Sequence, residues 1–247
     1  MESWSRVKAI AKREWGAYFN SPVAYVFIVI FLALAGFFTF AVGRFYESGQ
    51  AVLTPFFFWH PWLFLILVPA IAMKLWAEER RSDTIELLLT LPVTPMQAIV
   101  GKFLAAWLFL TLAIVLTFPV VLTAMYLGKP DLGVVFCGYL GSILLAGSYL
   151  AVGMFTSALT KNQVISFVLA VVFGLFLILA GFPPVTELLS RFAPIWLVDG
   201  VAAFSFMFHY ETLQRGIIDL RDLLYFGSVM VFMLLATQVV LVNRVTR

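Results

Sequence analysis

Six stretches of this sequence stay apolar long enough to cross about 30 Å of hydrocarbon at 1.5 Å per residue. They run over 22–43, 59–76, 98–126, 132–157, 164–182 and 223–242. Such a chain has few options, because in lipid every backbone N–H and C=O must be satisfied within the protein, and a helix does this segment by segment. Of the 247 residues, 63% are hydrophobic and 12% charged, whereas soluble domains carry about 25% charged residues. The expected class is an all-α integral membrane protein with six transmembrane helices, residues 1–247 forming one membrane domain. No repeat, low-complexity tract or soluble domain is visible. The net charge of +3 is too diffuse to suggest nucleic acid. The first apolar run starts late, at Pro22, and lacks a small-residue cleavage site, so it does not read as a cleaved signal.

Lysine and arginine set the orientation. Arg6, Lys8, Lys12 and Arg13 precede span one; Lys74, Arg80, Arg81 and Lys102 lie in or beside the loop after span two. Lys161, Arg244 and Arg247 fall on the same side, making eleven, against five on the other: Arg44, Lys129, Arg191, Arg215 and Arg221. The positive-inside bias puts both termini in the cytoplasm of a bacterial inner membrane. Trp59, Trp62 and Trp76 flank the short second span as interfacial aromatics.

The charges then concentrate in one place. "AEERRSDTIELLLTLPVTP", Ala77–Pro95, carries two glutamates, two arginines and an aspartate within six positions. Burying Glu78, Glu79, Arg80 and Arg81 at a helix centre would cost on the order of 10 kcal/mol, and no partner in the spans is evident. The run therefore reads as a cytoplasmic loop. Asp83 and Glu86 have capping-box spacing, so a short helix is expected over 83–91, closed by Pro92. Thr94, Pro95 and Gln97 signal a second start, that of span three. The charges suit either a solvated, topology-setting loop or a plug for a cytoplasmic partner; charge alone does not separate the two.

At the N-terminus, Trp4, Val7, Ala11, Trp15 and Tyr18 recur at helical spacing, with Arg6, Lys8, Lys12 and Arg13 mostly opposite. Residues 3–20 should form a basic amphipathic helix in the inner interface, turned into span one by Asn20-Ser21-Pro22. Near the other end, Asp219 and Asp222 are placed to start span six as N-cap and N3, with Gly216 permitting the turn before them. Within 183–222 the apolar run Ile195–Phe208 is too short for a seventh span and carries Asp199, and a seventh span would put Arg244 and Arg247 outside; two short helices on either side of Pro194, dipping into the outer leaflet, are expected. Pro119 should kink span three. Gly138, Ser142 and Ala146 mark a close-packing face on span four, within the chain rather than at a dimer seam.

Visible chemistry is absent. There is no Walker A (Gly128-Lys129-Pro130 is a tight outer loop), no HExxH, no GxSxG and no metal-spaced His/Cys set. His60 falls in an outer aromatic belt and His209 in an outer loop, neither expected as a ligand. The one cysteine, Cys137, reads as a small buried hydrophobe. Span centres almost free of ionisable groups argue against an autonomous ion-coupled pump.

"EERRSDTIELLLTLPVTPMQAIVGKFLA", Glu78–Ala105, resembles the segment after the second span in permease subunits of ABC-2 type transporters. "HYETLQRGIIDLRDLLYF" and "REWGAYFNSPVAYVF" resemble, respectively, the run before span six and the start of span one in the gliding-motility-type branch. The resemblance implies a non-catalytic membrane subunit whose ATP and Mg are bound by a separate nucleotide-binding ATPase subunit. It makes the N-terminal helix an elbow helix, with Trp4, Arg6, Lys8, Lys12, Arg13 and Trp15 at the membrane interface. It makes 83–91 a coupling helix, with Glu78, Glu79, Arg80, Arg81, Asp83, Thr84 and Glu86 transmitting force, and 183–222 an outer re-entrant cap. It also implies export and a second permease copy or related membrane subunit, one that in some assemblies carries an extracytoplasmic domain. A mechanical role, passing ATPase work to an outer partner without moving a substrate, is the alternative.

Overall fold

A computed structural model describes residues 2–47, 49, 51–82 and 93–245, with backbone alone at 2, 3, 244 and 245. All regular structure among them is helical. Helix α1 (Glu2–Phe19) precedes α2 (Pro22–Phe37), which continues as a π-helical turn over Phe38–Val42. Then come α3 (Thr54–Phe58), α4 (His60–Ala72), α5 (Lys74–Arg81), α6 (Pro95–Val115), α7 (Phe118–Leu127), α8 (Leu132–Leu159) and α9 (Gln163–Leu179). Three short helices, α10 (Pro183–Leu189), α11 (Ile195–Ala202) and α12 (Phe206–Gln214), lead to α13 (Leu220–Val245).

By length and apolarity, five helical stretches suffice to cross a membrane: 22–42, 60–81, 95–127, 132–159 and 220–243. Helices α9 and α10, bent by 72° at Gly181-Phe182, make a sixth if taken together. Local signals start them. Ser21 caps α2, and Asn162 Oδ1 accepts from Val164 N–H at 2.8 Å to cap α9. Thr94 and Gln97 form the expected reciprocal box, each side chain bonded to the other's backbone N–H, at 3.3 and 3.0 Å. Asp131 Oδ1 accepts from Gly133 N–H at 2.8 Å to open α8.

Helix α8 is the central pillar, packed on α4, α5, α6, α9, α12 and α13. Small residues let its neighbours approach. A Cβ on Gly138 would meet the Phe57 ring at 2.6 Å, and one on Gly153 the Ala72 Cβ at 2.4 Å. Ser142 and Ala146 are buried on the same side, so the four-residue small stripe serves packing within the chain.

Three expectations need correction. Span two does not stop at Trp76: after a joint at Met73 it continues as helix to Arg81, and Trp76 is fully buried rather than interfacial. Span three, by contrast, is interrupted at Leu116-Thr117 just ahead of Pro119, as expected, the proline falling in the first turn of α7. The segment 183–222 has three short helices, not two, because the chain turns again at Phe204-Ser205, where Ser205 caps α12. His60 is wholly buried, its Nδ1 2.7 Å from Ser142 Oγ, which in turn lies 3.0 Å from the Tyr210 hydroxyl. Tyr210 completes the chain by donating to the Phe57 carbonyl, so α12 is fastened into the bundle rather than lying over it.

Candidate functional site

The charged run after span two proves to be the last turns of a helix, and the joint at Met73 explains how it is held. Pro69 lies inside α4 and removes one ladder donor. Past it, the Ser157 hydroxyl of α8 accepts from the N–H groups of Trp76 and Ala77, at 3.1 and 3.0 Å, and donates to the Met73 carbonyl at 2.9 Å. One side chain thus serves three backbone groups at a break in the span. Sequence alone holds no signal for Ser157, a single serine in an apolar helix.

Beyond that joint α5 has two faces. Inward, the Glu79 carboxylate pairs with the Lys102 ammonium at 2.6 Å, and Glu14 of α1 approaches the same ammonium at 3.7 Å. Lys102 is only 5% exposed and also sits 5.3 Å from the Trp76 ring centre. A lysine so far from water needs those carboxylates. Contrary to the expectation from sequence, the charged run does have a partner in the spans: it comes from the start of span three. Arg80 donates to the Ala158 carbonyl at the end of α8, satisfying one of the helix's terminal acceptors. Outward, Lys74, Glu78 and Arg81 are exposed along one stripe of α5. The cluster Glu78–Arg81 thus divides into an anchoring pair, Glu79 and Arg80, and an outward pair, Glu78 and Arg81. Asp83, Thr84 and Glu86, with the helix expected over 83–91, lie outside the described residues.

Helix α1 packs closely against the start of α6. A Cβ on Gly101 would meet the Ile10 side chain at 2.7 Å, and the Tyr18 ring stacks on Phe109 at 5.0 Å. Burial, and then the neighbouring Glu14 carboxylate, raise the Tyr18 phenol above its ordinary pKa, keeping it neutral. Val7 is buried, whereas Trp4 is 55% exposed, Arg6, Lys8, Lys12 and Arg13 are exposed, and Trp15 is half-buried against Phe19. A cavity of about 410 Å³ opens between α1, α2, α5 and α6, beside the Lys102 cluster.

At the start of the last span, Asp219 Oδ1 accepts from Arg221 N–H at 2.9 Å and so caps α13. Asp222 does something else: its carboxylate lies 2.7 Å from His209 Nδ1, while the other ring nitrogen of His209 faces the Ala203 carbonyl at 3.0 Å. Asp222 and His209 join α12 to α13, a pairing that sequence spacing does not reveal. Among the described residues, no group of three His, Cys, Asp or Glu side chains could hold a metal.

A chain with several apolar spans meets the known families at one point. The family described as "ABC-2 family transporter protein" matches residues 51–243, more than three quarters of the sequence. The chain belongs to the ABC-2 transporter family. It is a multi-pass membrane protein and a permease component of an ABC transporter. ABC-2 membrane domains are generally non-catalytic, and the family implies association with an ABC ATPase subunit. No individual curated protein matches this ABC-2 chain.

Proposed function

We propose that this subunit couples ATP hydrolysis by a separate ATPase chain to export across the bacterial inner membrane, with both termini cytoplasmic and a second permease subunit completing the pathway. One observation carries the reading. The inner end of span two is tied by Glu79 to Lys102 of span three, whose ammonium also meets Glu14 of α1, and by Arg80 to the end of span four. Load applied beyond Ser82 therefore enters four helices at once, as a lever requires when paired ATPases close and rock the bundle. On this reading α1 is the elbow helix, 83–91 the coupling helix, and α10–α12 the outer cap. ATP and Mg stay on the partner. The motility-branch alternative, force without transport, uses the same lever.

The test reverses one outward charge, that of Arg81. Glu79→Lys would set a second cation beside Lys102 and damage the fold, so it is unsuitable. Arg81→Glu should weaken binding of the ATPase chain at least about tenfold, the equivalent of ~1.4 kcal/mol, and abolish permease-stimulated hydrolysis, while the thermal midpoint stays within a few degrees. Unchanged binding and stimulation would overturn the proposal.

A further inference from the structure

The cavity beside the Lys102 cluster is graded in polarity along the spans. Phe27, Ile71 and Phe109 line its deeper part, and Glu14, Glu78 and Lys102 its cytoplasmic rim. From Ala70 to Glu79 the wall of span two covers about 13 Å at helical rise, comparable to the headgroup and upper acyl region of one leaflet. Its charges are unequal in status. Glu14, Glu79 and Lys102 neutralise one another, with Arg13 also on Glu14. Lys74 and Glu78, both exposed and both lining the cavity, make no ion pair among the described residues. They stand one helical turn apart on α5, the backbone of Lys74 about 6 Å deeper in the membrane than that of Glu78.

We propose that this cavity is a binding site for one zwitterionic phospholipid of the inner leaflet, its phosphate on Lys74, its terminal ammonium on Glu78 and its chain against Phe27 and Phe109. The order of charges is the argument. In a zwitterionic phospholipid the phosphate, next to the glycerol, lies deeper than the ammonium it carries, and Lys74 lies deeper than Glu78. An anionic lipid would leave the Glu78 carboxylate unmatched, and a cationic amphiphile the Lys74 ammonium. The site rests on the cytoplasmic placement of this end, and it leaves Arg81 rather than Glu78 as the ATPase-facing charge of α5.

The experiment uses the full chain in nanodiscs of equal phosphatidylethanolamine and phosphatidylglycerol, extracted into mild detergent, with retained lipid counted by native mass spectrometry. One phosphatidylethanolamine per chain should survive, in preference to phosphatidylglycerol. Lys74→Gln should reduce its retention about fivefold, the effect of one basic side chain at a lipid headgroup. Ala17→Trp, at an exposed position lining the cavity, should remove the lipid without touching the packed core. Glycerophosphoethanolamine, which has the head but no chains, should not displace it. Equal retention of phosphatidylglycerol, displacement by the soluble head, or unchanged retention in both variants would overturn the site. Both variants should keep the ATPase bound, whereas Arg81→Glu should lose the ATPase and keep the lipid, so failure of either claim is seen separately.

Discussion

Lys102 shows how one side chain can decide where a span ends. Its ammonium is nearly out of water and is balanced by Glu79 and Glu14. Truncating one member of a buried pair strands the other, at a typical cost of about 3–5 kcal/mol, whereas replacing a whole pair by apolar groups is often near neutral; exposure of Glu79 at 23% lowers the figure here. Lys102→Ala should therefore lower stability by about 2–3 kcal/mol, read as a fall in thermal midpoint in detergent. Lys102→Met with Glu79→Gln should recover at least half of that loss. If the double variant is as unstable as the single, the pair does not hold this end. Ser157→Ala removes the group that serves Met73, Trp76 and Ala77, and should cost about 1–3 kcal/mol, the penalty for buried backbone groups left unmet; Ser148→Ala, whose hydroxyl donates to its own helix at Leu144 at 3.1 Å and only at 3.5 Å to the Phe226 carbonyl of α13, should cost less. These roles are invisible in the sequence. A salt bridge between the end of one span and the start of the next, or a hydroxyl reaching another helix's backbone, depends on contacts that no local pattern encodes.

Elements are more legible than residues. Apolar runs and caps are local, so the helix starts at Pro22, Pro95, Leu132 and Gln163 follow from Ser21, Thr94, Asp131 and Asn162. The end of span two is hidden in the sequence because four charges in a row look like water. The helix continues because two of them, Glu79 and Arg80, point into the protein and find partners there. Breaks in the outer segment are half legible: Pro194 marks one, but the turn at Phe204-Ser205 contains neither Pro nor Gly. Close approach of spans two and four at Gly153 gives an element-scale prediction. A Cβ placed on Gly153 would stand 2.4 Å from the Ala72 Cβ. Gly153→Val should therefore force the two spans apart and lower the thermal midpoint more than Gly227→Val, a glycine with open space around it. Equal shifts would contradict the packing.

At the scale of the molecule, spans one and six bury only 28% of their apolar windows within the chain, against 67% for spans two and four. Central spans are thus satisfied internally, while the peripheral ones offer their surface to lipid or to a second permease subunit. A complex isolated with its ATPase should accordingly contain two permease-type chains, counted by native mass; a single permease chain in an active complex would rule out the paired pathway. The central claim is narrower: the inner end of span two faces the cytoplasm and is gripped by the ATPase. It is tested most directly with Arg81→Cys in intact cells, since the native Cys137 is buried and should add little background. The account predicts that a membrane-impermeant thiol reagent leaves position 81 unlabelled from outside while labelling Lys129→Cys, and that a thiol-anchored cross-linker at 81 captures an ATP-binding chain. Labelling of position 81 from outside the cell would contradict it.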